Sequence, residues 1–168
     1  MTDRPLNVLF LCTGNSCRSS LAEQLLNHLG QGRFVGFSAG STPTGQVNPN
    51  AVQALERRGV PTGGLTSKSW NEFGEADATE MDIVITVCDN ARDEVCPIWP
   101  GHPVTAHWGL SDPADFKGGV AETAAVFDAT LNQLETFIGG LLKLPEDSLA
   151  TDNLEEFRKK LTPGEVEK

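Results

Sequence analysis

The sequence predicts an α/β domain with a parallel sheet covered by helices on both faces. Three observations lead there. Short runs of Val, Ile, Leu and Phe alternate along the chain with segments of helical spacing, as in strand–helix–strand units. The clearest run, Met81 to Val87 (MDIVITV), is continuous and β-branched rather than alternating, the pattern of a strand buried on both sides. The length, 168 residues, suffices for one well-cored domain and is short for two.

The elements follow in order. Asn7 to Cys12 (NVLFLC) reads as a buried first strand, and Gly14-Asn15-Ser16 as a turn. Ser19 to Leu29 sets Leu21, Leu25, Leu26 and Leu29 on one helical face, with Gly30 and Gly32 stopping the helix. Phe34 to Ser38 is a second strand closed by Ala39-Gly40. A loop leads to Pro49, which suits the first turn of a helix over about Asn50 to Arg58, ended by Gly59-Val60-Pro61. Lys68 to Phe73 reads as a short helix, Met81 to Val87 as a strand and Pro103 to Trp108 as a fourth. Val120 to Leu144 repeats Ala124, Phe127, Leu131, Leu134, Ile138 and Leu141 at helical spacing. One domain therefore spans 1–144. From Pro145 the chain turns mostly charged, with weak apolar spacing at Leu154, Phe157 and Leu161, so 145–168 is an extension compatible with a surface helix or a mobile tail.

Charge and cysteines narrow the function. A formal charge of −10 argues against nucleic acid or an anionic membrane as the main partner. No run approaches the ~20 apolar residues of a membrane span. The stretch Val8 to Cys12 is too short for a signal-peptide core and has no cleavage site after it. The expectation is a cytoplasmic protein, where four cysteines stay reduced and serve catalysis or metal binding rather than a disulfide framework. Cys88 and Cys96 lack the short Cys-x2-Cys spacing of most zinc sites, so no metal and no cofactor are expected.

The chemistry gathers in Cys12-Thr13-Gly14-Asn15-Ser16-Cys17-Arg18-Ser19, a Cys-x5-Arg loop between a buried strand and an amphipathic helix. A strand-to-helix turn of small residues points successive backbone N–H groups into one concavity, an anion nest. The following helix adds the positive end of its dipole. Gly14 permits a backbone conformation that a side chain resists, and the planar fork of Arg18 grips two oxygens of a tetrahedral oxyanion. Helix N-termini and cations favour the thiolate of a cysteine, and one beneath a bound oxyanion is placed to attack the central atom. The competing reading makes Cys12 a small buried hydrophobe and Arg18 a surface charge. The strand before, the glycine turn and the helix after it favour the functional one.

The stretch VLFLCTGNSCRSSLAE (Val8 to Glu23) resembles the phosphate-binding loop of low-molecular-weight protein tyrosine phosphatases and of the thiol-linked arsenate reductases related to them. Phe37-Ser38-Ala39-Gly40 and Asp112-Pro113 match too, in the right order, over roughly residues 6–143. The resemblance implies a four-stranded parallel sheet with helices on both faces, an oxyanion held by Thr13, Gly14, Asn15, Ser16, Cys17, Arg18 and Ser19, and Asp112 as general acid. Independently, Asp-Pro marks a turn and a departing oxygen needs an acid, although most turn aspartates do no chemistry.

The family divides into hydrolysis and reduction. A phosphatase needs one cysteine and water, whereas reducing arsenate takes two electrons from thiols that end as a disulfide. Cys88, at the end of the clearest strand, and Cys96 beyond a polar stretch are the candidates; a core cysteine and an incidental loop cysteine are the competing readings. The run from Cys88 to Cys96-Pro97, followed by His107-Trp108-Gly109 and Asp112-Pro113, resembles the reductase branch. The chain has no tyrosine, and Phe116 is the aromatic residue near Asp112-Pro113, which suits a small inorganic anion. The expected ligand is arsenate, with phosphate or sulfate as analogues. The reductant is thioredoxin, or glutaredoxin or another small-thiol system, because the Cys88–Cys96 spacing is one residue longer than in the thioredoxin-linked group. A tyrosine phosphatase and a non-catalytic oxyanion or redox sensor are the alternatives. Asn15, Glu23 and Ser38 stand at positions resembling ligands of a potassium ion in some thioredoxin-linked relatives. Lys68 stands where the aspartate ligand is expected, so no ion is predicted.

Overall fold

A computed structural model describes residues 5–12, 17–30, 32–73, 80–87, 104–107, 113 and 116–142. Thr13, Gly14, Asn15, Ser16, Cys88, Cys96, Asp112 and the extension 145–168 lie outside the described residues. The elements run β1 (Leu6–Cys12), α1 (Arg18–Leu29), β2 (Phe34–Gly40), α2 (Pro49–Arg57), a 3₁₀ turn (Trp70–Phe73), β3 (Ile83–Thr86), β4 (Val104–His107) and α3 (Val120–Leu142). All pairings are parallel, in the order β2-β1-β3-β4. β1 is flanked along its length, by β2 from Leu6↔Phe34 to Cys12↔Gly40 and by β3 from Val8↔Ile83 to Leu11↔Thr86. That double burial is why its sequence is a continuous apolar run.

The alternation of β1 sorts the core. Val8, Phe10 and Cys12 point to one face and Leu9 and Leu11 to the other. On the first face Leu21, Leu25 and Leu26 of α1, Ala54 and Leu55 of α2, and Phe127, Leu131, Leu134 and Ile138 of α3 pack over the sheet. On the second, Trp70 and Phe73 of the 3₁₀ turn join Met81. Among the described residues, three α-helices pack on one face and the 3₁₀ turn on the other. The chain steps from β1 to β2 and then back past β1 to β3. The connection from β2 to β3 serves both faces: α2 packs beside α1, and the 3₁₀ turn that follows it lies on the other side of the sheet.

Local chemistry sets the boundaries. α2 has a side-chain cap, Asn50 N donating to Asn48 Oδ1 at 2.8 Å, with Pro49 at its first position. β3 starts two residues later than its apolar run suggests, because the Asp82 side chain accepts from Asn7 N (2.7 Å) while Asp82 N donates to Asn7 O (2.9 Å). This pair fixes the register of β1 against β3 at the end away from Cys12. Leu29 is a second correction. It is 39% exposed at the last position of α1, while Leu26 one turn earlier is fully buried. No helix among the described residues is long and apolar enough to cross a membrane.

Candidate active site

Cys12 is the last residue of the central strand, at the carboxyl end of the sheet where open α/β folds place their chemistry. It is 3% exposed, and its Sγ lies 3.0 Å from Ser19 Oγ. Ser19 belongs to the first turn of α1, so strand end and helix start meet at the sulfur. Either atom can donate in this pair, and a thiolate would take the Ser19 hydroxyl as donor in a charge-assisted bond. The start of α1 also differs from that of α2. Its N-cap is Cys17, whose side chain makes no capping bond, and its first turn holds no carboxylate. Within that turn, no carboxylate opposes an anion at the dipole end.

Arg18 is the first helical residue and half-buried. Cys17 is 3% exposed among the apolar residues of the α-helical face, and its carbonyl accepts from Leu21 N at 2.9 Å. Its thiol thus sits in packing, while its main chain starts the helix. Ser20 beside it is fully buried, and its hydroxyl has no partner among the described residues.

α1 is braced against β2 at two levels. Asn27 Oδ1 accepts from Gly36 N (2.8 Å) and Asn27 Nδ2 donates to Gly36 O (3.2 Å). A Cβ at Gly36 would stand 2.8 Å from the Glu23 carbonyl oxygen, so only glycine lets helix and strand approach this closely. Nearer Cys12, the Ser38 hydroxyl donates to the Glu23 carboxylate. Burial pushes the Glu23 pKa above its ordinary 4.5; the Ser38 bond and the Lys68 charge oppose that rise. Lys68 Nζ is 3.9 Å from Glu23 Oε1 and donates to Thr66 O and Thr66 Oγ1, each at 3.1 Å. The Lys68 carbonyl accepts from Gly40 N at 2.9 Å, and Gly40 is the register partner of Cys12.

The low-molecular-weight phosphotyrosine protein phosphatase family matches residues 7–155. The chain belongs to that family. An arsenate reductase of Shouchella clausii is 37% identical over 128 residues, 76% of this chain and 88% of that protein. A solved arsenate reductase in the phosphate-binding state superposes with a TM-score of 0.66 at 29% identity, covering 82% of this chain and 96% of that one. A thioredoxin-dependent arsenate reductase of Corynebacterium glutamicum gives a TM-score of 0.55 at 26% identity, over 83% of this chain and 64% of that one.

Of the residues expected to form this phosphatase-family site, the structure brings together Cys12 and Ser19, with Cys17 and Arg18 at the start of the helix between them. Cys88 and Asp112 lie outside the described residues, but their chain neighbours do not. Val87 N donates to Leu11 O at 2.9 Å, Thr86 pairs with both Leu11 and His107, and Pro113 is buried. The cation expected of some relatives is a poor fit here, because the carboxylate it would use faces the Lys68 ammonium. The Asn27–Gly36 clamp escaped sequence reasoning. A glycine inside an apolar strand was its visible signal, since such glycines often mark close backbone approach.

Proposed function

We propose that this chain is an arsenate reductase whose nucleophile is Cys12. The observation that carries the reading is the placement of the Cys12 sulfur at the carboxyl end of the central strand, 3.0 Å from the Ser19 hydroxyl in the first turn of α1. The similar proteins named arsenate reductases support the choice of anion.

In the proposed sequence, arsenate is held by the amides of Thr13, Gly14, Asn15, Ser16, Cys17 and Ser19 and by the Arg18 fork. The Cys12 thiolate attacks arsenic, and Asp112 gives a proton to the departing hydroxide, which leaves as water. Cys88 attacks the Cys12 sulfur. A sulfur–sulfur bond forms, the arsenic–sulfur electron pair stays on arsenic, and arsenite leaves two electrons richer. Cys96 then attacks Cys88 and frees Cys12, leaving a Cys88–Cys96 disulfide that an external dithiol reduces. Cys88 directly follows Val87, whose amide bonds the residue before Cys12, which supports its part in this relay. The thioredoxin-dependent enzyme of Corynebacterium glutamicum favours thioredoxin as that dithiol. The proposed thiol relay is compatible with a cytoplasmic reaction, where thiols are kept reduced.

The test is arsenate-dependent NADPH oxidation with thioredoxin and thioredoxin reductase, run beside hydrolysis of an aryl phosphate. Arsenate-dependent consumption that disappears in Cys88→Ser, with slow hydrolysis, is the expected result. If thioredoxin fails, glutathione with glutaredoxin is tried. Failure of both with fast hydrolysis of the aryl phosphate replaces the reading with a tyrosine phosphatase, the activity in the family's name.

A further inference from the structure

Glu23 is a buried carboxylate that the proposed chemistry leaves unused. It lies one helical turn beyond Ser19, takes the Ser38 hydroxyl, and has 12% of its side chain exposed. Its ion-pair partner, Lys68, is held on the far side of β2. The Lys68 backbone accepts from Gly40, and its ammonium is aimed by two bonds to Thr66. A buried ionised group needs a countercharge and hydrogen bonds to persist. Here the countercharge is part of the chain. The ammonium, the carboxylate, the Ser38 hydroxyl and the Gly40 amide connect three segments that converge on Cys12: the end of β2, the first turns of α1 and the strand-like stretch at Ser69.

We propose that Lys68 is a positioning residue acting as a tethered monovalent cation, which neutralises Glu23 and fixes α1 so that Ser19 stays on the Cys12 sulfur. Activity and stability of this chain are then indifferent to the alkali cation in solution. Removing the ammonium creates a demand for one, because Glu23 and Ser38 remain as oxygen donors with their charge uncompensated. The inference rests on Cys12 being the nucleophile, but its thermal readout does not depend on arsenate.

The experiment compares wild type, Lys68→Met, Lys68→Arg and the double variant Glu23→Gln/Lys68→Met. Each is studied in potassium, sodium or tetramethylammonium chloride at equal ionic strength, by thermal midpoint and by turnover. Wild type and Lys68→Arg should show no preference among the salts. Lys68→Met should lose thermal stability and turnover in tetramethylammonium and regain both saturably in potassium or sodium. The double variant, with neither charge left at this pair, should fold without responding to the salts. Three results overturn the proposal: an alkali-specific response of the wild type, a defect of Lys68→Met that no small cation restores, or Lys68→Met matching wild type in tetramethylammonium. If turnover is absent in every protein while the thermal pattern appears, the substrate assignment has failed and the tethered cation stands.

Discussion

Ser19→Ala removes one oxygen atom from the site and nothing from the anion cradle's main chain. The hydroxyl lies 3.0 Å from the Cys12 sulfur, and both residues are buried, at 0% and 3% exposure. Solvent has little access to replace the bond. A hydrogen bond to a charged group contributes about 1.5–3 kcal/mol, which corresponds to roughly 10- to 150-fold in rate at tenfold per ~1.4 kcal/mol. In the proposed sequence the bond matters whenever sulfur carries charge, that is, before attack on arsenic and again when Cys96 releases Cys12. The loss should therefore fall on kcat, with KM for arsenate changed little, since Ser19 keeps the backbone amide assigned to the anion in the proposed site. Steady-state turnover over a range of arsenate concentrations measures both, and Ser19→Thr should recover much of the rate by restoring the hydroxyl. A kcat for Ser19→Ala within about threefold of wild type, less than ~1 kcal/mol, would refute the claim that this contact supports the thiolate. So would a defect confined to KM.

Three further outcomes follow from the same geometry. Phe127→Ala empties a fully buried site between α3 and the sheet and should cost about 3–5 kcal/mol, read in chemical denaturation as a lower midpoint with unchanged slope; a smaller loss would mean that α3 collapses into the space. Glu23 has a folded-state pKa above its ordinary 4.5, chiefly from burial, so the folded protein holds its proton more tightly than the unfolded chain. The stability this gives is complete below about 4.5 and declines as pH rises through the higher folded value. Wild type should thus lose stability relative to Glu23→Gln across that window, and a difference independent of pH would show that burial does not dominate. Finally, Cys96→Ser should allow at most one turnover per enzyme with thioredoxin, counted as arsenite released; sustained turnover would remove Cys96 from the relay.

Much of this protein is legible locally. Strand β1 and helix α1 could be read because an apolar run and a 3.6-residue repeat each report a buried surface directly. The Cys12–Arg18 loop was legible because a nucleophile, a glycine turn and a guanidinium fall within seven residues. Asn48-Pro49 announced α2 through side-chain chemistry of its own. What was misjudged depended on partners distant in sequence. Leu29 obeys the helical spacing of its neighbours but is 39% exposed at the end of α1, whereas Leu26 one turn earlier is fully buried. Asp82 leaves β3 because it bonds Asn7, 75 residues away.

The sequence alone determined the element types, their alternation and the chemical identity of the loop, because these follow from neighbours within a few positions. Through the family resemblance it also grouped Glu23, Ser38 and Lys68 at the position of one cation. Tertiary structure decided which face each helix covers, that Ser19 reaches the Cys12 sulfur, and that Lys68 meets Glu23 across 45 residues of chain rather than facing solvent. The physical reason is that a pairing between segments depends on register and crossover direction, both set by the whole sheet, and neither leaves a mark in the residues being paired.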